Sequence, residues 1–166
     1  MRSTFQYVAS AFDDLVNDYS RVIAPRHPEA IELLDYWRTV VARGNGFLIG
    51  RDIPARPIAR LLKNVRIDEP LPDGSDIRVR LAGTAIKRRF GTDVHGALLS
   101  GLFKPADFRH HLAGELEVVR TGAPLVIDSC LMRGGLVELH TEIVILPILD
   151  RDARTPLLVV GFFYFK

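Results

Sequence analysis

Three stretches of this chain predict an α+β fold: a five-stranded antiparallel sheet with short helices and one long helix on one face, preceded by two N-terminal helices. In the first stretch, Ile77, Val79 and Leu81 alternate with Arg78 and Arg80. That period of two marks a strand with one buried and one wet face. In the second, Phe108, Leu112, Leu116 and Val119 form an apolar stripe at helical spacing from Pro105 to about Thr121, and Gly122 closes the helix. In the third, Leu157 to Phe165 reads LLVVGFFYF with no alternation, as expected of a strand covered on both faces.

The elements follow in order. From Thr4 to Tyr19 the apolar positions Phe5, Val8, Phe12, Leu15, Val16 and Tyr19 draw one helical stripe, opposite Asp13, Asp14, Asn17 and Asp18. Pro25 and Pro28 lie in and after a loop, and Pro28 suits the first turn of a second helix running to about Arg43. Its expected buried stripe is Ile31, Leu34, Trp37 and Val41, and Gly44-Asn45-Gly46 ends it. These two helices form an N-terminal extension, 1–46, ahead of a sheet domain, 47–166. Residues 51–62 read as a proline-containing connection with at most two helical turns.

Lys63–Glu69 is the first strand, with Val65 and Ile67 inward and Arg66 and Asp68 outward. Pro72-Asp73-Gly74 is a turn, so 63–69 and 76–83 make a hairpin. At Gly83-Thr84 the period breaks into short helical turns, with Thr84 a candidate N-cap. Lys87, Arg88 and Arg89 sit where the helix dipole favours cations. Gly91 sits where a left-handed residue closes the turn, and a second turn carries Gly96. After the long helix come strands 124–132, 136–146 and 157–165, separated by Arg133-Gly134-Gly135 and the polar turn 150–155.

The strand 76–82, its Gly83-Thr84 exit, the Phe90-Gly91 pair and the Val94-His95-Gly96 turn resemble the first half of a PAS domain, within a bacterial subfamily. The resemblance covers roughly Trp37 to Phe165. It implies a small antiparallel sheet cupped around short helices, used to sense small molecules or to pair with proteins. Some haem-binding PAS domains place their iron ligand on the long helix, where His110 and His111 lie. Helical geometry turns His110 away from the apolar stripe and His111 sideways, which argues against haem. The Asn-Cys-Arg motif of flavin-binding light sensors does not occur, which argues against flavin; Cys130 reads as a small buried hydrophobe.

Composition bounds the remaining classes. The chain has 166 residues, 48% hydrophobic and 25% charged, with a net charge of +2. That suits one ordinary globular unit and no nucleic-acid surface. A single cysteine excludes an internal disulfide, and with no apolar leader the expected setting is the cytoplasm. No membrane-length apolar run is present, and no P-loop, paired-His zinc motif or nucleophile elbow occurs.

Glu138, His140 and Glu142 share one face of a strand, about 7 Å apart in succession. Two carboxylates around an imidazole suit a divalent metal or acid/base work. The commoner arrangement is a solvated sheet face, with Val137, Leu139, Thr141 and Ile143 towards the core. Glu115 borders the long helix's stripe, either as an edge residue reaching solvent or as a polar contact at a cavity mouth.

Three functions stay open. One is a non-enzymatic PAS-type sensory or interaction module with a cavity between long helix and sheet. Its walls would be Phe90, Phe108, Leu112, Glu115, Leu116, Leu139 and Ile143, carrying few charges and taking an apolar or aromatic ligand. The second is a ketosteroid-isomerase-like enzyme or binder with Asp128, Glu138 or His140 as general base. The third is a purely structural dimerisation module. In the first and third, a homodimer is expected in which Phe5, Phe12, Leu15 and Tyr19 cover the outer face of the final strand. Lys166 follows that strand directly, so a signal is expected to leave through the surface or through a protein partner.

Overall fold

The structure, a computed structural model, describes residues 15–166. Its elements are β1 (Val16–Val22), α1 (Pro28–Ala42), a 3-10 segment (Arg56–Asn64), β2 (Val65–Pro70), β3 (Ile77–Ala82) and α2 (Thr84–Phe90). There follow a short 3-10 turn (Leu99–Gly101), α3 (Pro105–Thr121), β4 (Leu125–Arg133), β5 (Leu136–Leu149) and β6 (Pro156–Tyr164). One sheet of six strands runs β1-β4-β5-β6-β2-β3. Every neighbouring pair is antiparallel.

The sixth strand is a correction. Residues 16–19, expected to end a helix from Thr4, instead belong to β1 and pair with Ser129–Met132 of β4. Val16-Asn17-Asp18-Tyr19 fits a helical stripe locally, but an edge strand forms wherever a distant partner offers its ladder. Phe5 and Phe12 lie outside the described residues.

α1 starts where its signals say. Pro28 occupies the first turn, and His27 Nδ1 accepts from the Glu29 amide at 3.1 Å. Glu142 anchors the chain entering it, accepting from the Arg26 amide at 2.9 Å and the His27 amide at 2.9 Å. The buried face is Ala30, Leu33, Leu34, Trp37 and Val40. Ile31 and Val41, expected inside, are 40% and 36% exposed.

This helix is the cover that β6 requires. Leu33, Leu34 and Trp37 pack in one cluster with Val144, Leu146, Leu157, Val159 and Phe163. On the opposite face Val118 of α3 packs with Ile143, Ile145, Leu158 and Val160. Odd and even positions of β6 therefore face different helices, which is why LLVVGFFYF shows no alternation. Contact across the α1 face is close: a Cβ at Gly161 would lie 2.9 Å from Leu33 Cδ2. The outer face of β6 is thus covered by α1. The expected boundary at residue 46 cuts through this cluster, since α1 shares it with Val65 and Ile67 of β2.

Covering both faces overturns a second expectation. Arg66 and Asp68, placed outward by alternation, are both wholly buried. They lie on the α3 face, opposite Val160 and Leu158 of β6. Alternation separates two faces of a strand, but it does not say which one meets water. A bulge between Ile67 and Asp68 breaks the β2–β3 register, and beyond it Leu81, expected inside, is 53% exposed.

Candidate functional site

Between the α3 face of the sheet and the helical layer lies a cavity of about 340 Å³. The sheet supplies Ser129 and Leu131 of β4, Leu139, Thr141 and Ile143 of β5, Phe162 and Tyr164 of β6, and Arg66 of β2. The other side is built from Ile86, Arg89 and Phe90 of α2, the segment Leu102–Lys104, and Asp107 and His111 of α3. Leu15, Asn17 and Tyr19 close one end. Local rules explain this frame. Gly91 adopts φ 73 as C-cap and stops α2, so Phe90 ends the helix against Phe103, with ring centroids 5.9 Å apart.

β1 is pinned to α3 across the cavity end. Tyr19 donates its hydroxyl to Asp107 Oδ1 at 2.8 Å, and Asn17 Nδ2 donates to the same oxygen at 3.2 Å. Lys104 Nζ donates to the Leu15 carbonyl at 3.2 Å. Burial, reinforced by Asp107, pushes the Tyr19 phenol well above its usual range, so it stays a donor. His110 stacks on Tyr19 from outside at 4.4 Å.

Beneath the cavity sits a buried ionic cluster. Arg66 Nε donates to Asp68 at 2.8 Å, Nη2 reaches Asp68 Oδ2 at 2.8 Å, and Nη2 lies 3.4 Å from Glu115 Oε2. Burial, then the nearby Asp68 charge, raise Glu115 well above the usual carboxyl range, and its Oε1 has no hydrogen-bond partner among the described residues. Glu115 is fully buried, so the reading of it as a solvent-reaching edge residue is corrected. An unpaired carboxylate avoids burial, but a carboxyl group beside a buried arginine does not need to.

The expected site residues separate. Phe90, Leu139 and Ile143 line the cavity. Phe108 and Leu112 pack instead around Ile77, Val79, Ile86 and Val94, and Leu116 Cδ1 lies against the turn at Gly74. Leu15 and Tyr19, expected at a dimer interface, are cavity walls. The expectation of few charges is also revised, because Arg66, Arg89, Lys104 and Asp107 all border the space. Sequence reasoning missed these four; only the alternating charges of β2 hinted at the first.

The polar set on β5 disperses over the α1 face of the sheet. Glu138 pairs with Arg133 at 3.3 Å and is exposed, whereas Glu142 is buried under the Arg26 and His27 amides. His140 lies 3.5 Å from Asp128 and stacks on Phe165 at 4.3 Å, and Asp128 also pairs with Arg26. None of Asp128, Glu138 and His140 faces the cavity, so the isomerase-like reading has no general base there. Among the described residues no group of three or more His, Cys, Asp or Glu is arranged to hold a metal.

His111, expected to point sideways, is buried in the cavity wall and stacked on Phe103 at 4.3 Å. Burial, helped by Arg66 and His110, lowers it from the ordinary 6.5 to about 3. Between those values the unfolded chain binds a proton that the folded chain refuses, so stability must fall as pH drops below about 6.5. Glu115 acts with the opposite sign: above pH 4.5 the folded chain keeps a proton the unfolded chain has lost, so stability declines as pH rises. Urea unfolding across this range should show loss on both sides, and His111→Phe should flatten the acid side. An acid limb identical in variant and parent would reject this assignment.

Among the described residues, no helix is long and apolar enough to cross a membrane. A search among curated proteins finds no match. A family model described as the PAS domain matches residues 25–164, from the loop ahead of α1 through the end of β6. That span holds the hairpin, the α2 turns, the long helix and the three closing strands in the expected order, and the chain belongs to the PAS domain family.

Proposed function

We propose that this PAS domain is a sensory module that binds a small molecule in the cavity between α3 and the sheet and passes the signal to a protein partner. The partly open cavity of about 340 Å³, within the size range of small-molecule sites, carries the reading. β1 is the natural reporter, because its Asn17 and Tyr19 form the cavity end and its chain leads straight to α1.

Filling the cavity tests this. Leu139→Trp should leave a folded protein, since Leu139 is only partly buried, while occupying the ligand's space. A ligand present at 100 times its dissociation constant stabilises the parent by about 2.7 kcal/mol. That shift should vanish in the variant. A broad metabolite panel that shifts the melting of neither protein overturns the ligand-binding half of the proposal.

A second reading, pairing of two copies, is favoured by one observation. Val16, Met132 and Val137 lie side by side across β1, β4 and β5, and Val16 and Val137 are 66% and 58% exposed. An apolar row of this kind suits an interface. Light scattering should find a dimer that Val137→Glu converts to monomer. A parent protein that is monomeric at all concentrations would remove this reading.

A further inference from the structure

Resting on the cavity reading above, we infer that its occupant is an uncharged aromatic molecule with a hydrogen-bonding edge, read by Thr141 from the sheet and by His111 from α3. Both side chains border the cavity, and both are more than nine-tenths buried, at 7% and 8% exposure. Among the described residues, no hydrogen bond reaches the Thr141 hydroxyl or either nitrogen of the His111 ring. Buried polar groups in folded proteins are nearly always paired. Two open ones on the walls of one cavity therefore mark where a ligand's own polar atoms belong. The ladder fixes the position of Thr141, which stands between Ser129 of β4 and Tyr164 of β6, and all three side chains line the cavity. His111 lays its flat face on Phe103, with ring centroids 4.3 Å and planes 26° apart. Its nitrogens lie in the ring plane, so the stack covers the face and leaves the hydrogen-bonding edge open.

The charged groups on the walls are already engaged. Arg66 holds Asp68 at 2.8 Å and lies 3.4 Å from Glu115, Asp107 accepts from Tyr19 and Asn17, and Lys104 donates to the Leu15 carbonyl. Arg89 is exposed to solvent, with its guanidinium carbon 4.5 Å over the Tyr164 ring. Burial keeps His111 neutral by lowering it to about 3, so it presents one donor and one acceptor instead of a charge. The Thr141 hydroxyl likewise donates and accepts. Both open groups are thus neutral and two-way, which suits a hydroxyl or lactam edge better than a charged head group. Rings supply the walls for the body. Phe90 and Phe103 meet edge to face at 5.9 Å in the helical layer, and Phe162 comes from the sheet.

The test fixes a two-ring body and varies its edge. 2-Naphthol, 2-quinolinone, naphthalene and 2-naphthoate are titrated into the full chain. 2-Naphthol or 2-quinolinone should bind about tenfold more tightly than naphthalene, the gain expected of one or two neutral hydrogen bonds, and more tightly than 2-naphthoate. His111→Phe and Thr141→Val remove the polar atoms and keep the shape. Each should erase most of that preference and leave naphthalene binding at the parent's level. Without ligand, Thr141→Val should melt no lower than the parent, because an unpaired buried hydroxyl adds nothing to stability. A clear drop would mean that the hydroxyl is spent inside the protein, and would overturn its assignment. Naphthalene binding as tightly as 2-naphthol and 2-quinolinone, 2-naphthoate binding most tightly, or a preference that survives in either variant overturns the inference and leaves a ligand-binding cavity intact. If none of the four binds, the inference is also overturned, and the cavity reading is judged separately by the Leu139→Trp comparison on the broad panel.

Discussion

Replacing Arg66 by Met is expected to destabilise the domain by about 3–5 kcal/mol, the range for removing one partner of a buried ion pair. Met keeps the length and the apolar contacts of the side chain, so the loss isolates the charge. Without the guanidinium, Asp68 and Glu115 are left together between β2 and α3, both wholly buried. Burial and the nearby Asp68 charge already raise the Glu115 carboxyl well above the ordinary range. Adding Asp68→Asn and Glu115→Gln to Arg66→Met should recover most of the loss, because no charge then remains in the interior. Urea unfolding of the parent, Arg66→Met, the Asp68→Asn/Glu115→Gln double variant and the triple variant closes a cycle whose non-additivity is the coupling. A single variant within about 1 kcal/mol of the parent, or a triple variant no better than the single one, would show that the cluster does not act as a unit.

A comparably large loss is expected for Gly83→Ala, for a different reason. Gly83 has φ −67 and ψ 162, an extended conformation open to any residue. Conformational freedom is therefore not why glycine is needed. A Cβ here would lie 2.1 Å from the Leu62 carbonyl oxygen and 2.4 Å from that of Lys63. Both are backbone atoms at the junction of the 3-10 segment and β2, and the Gly83 amide is itself tied to the Val65 carbonyl at 2.8 Å. Accommodating the methyl group means pulling α2 off that junction, and a loss above about 4 kcal/mol or outright failure to fold should follow. Gly91→Ala is the control, because Gly91 has φ +73 but nothing within 4 Å of its Cβ position. That variant should lose only about 1–2 kcal/mol, the cost of a left-handed alanine. If Gly91→Ala proved the more damaging, backbone conformation rather than close approach would govern this turn.

Signals that act over a few residues were readable in the chain. Pro28 and the Gly44-Asn45-Gly46 stop bracket α1, Gly91 and Gly122 close α2 and α3 in the left-handed conformation, and Asp73 binds the Ser75 amide in the β2–β3 turn. These depend on backbone sterics and local hydrogen bonds, so sequence alone determined the element order from α1 onwards, and with it the family. The lack of alternation in β6 likewise required two covers, although not which ones.

Tertiary structure decided what depends on distant partners. The segment at 16–22 is a strand because β4 offers it a ladder, and no helical or strand period within it could say so. Arg66 and Asp68 alternate with Val65 and Ile67 as any half-wet strand would, and only the closure of α3 over β2 puts the charged face inside. The cavity was legible in Leu139 and Ile143, because apolar residues on the inner face of such a sheet point there by alternation, and in Phe90, which ends α2 at the Gly91 cap. Its charged groups were not, since no local pattern sets Arg89, Lys104 and Asp107 apart until α2, α3 and β1 meet around one space. Periodicity records which side chains share a face. What covers that face, and hence what a charge buried there costs or can bind, is set by contacts between residues far apart in the chain.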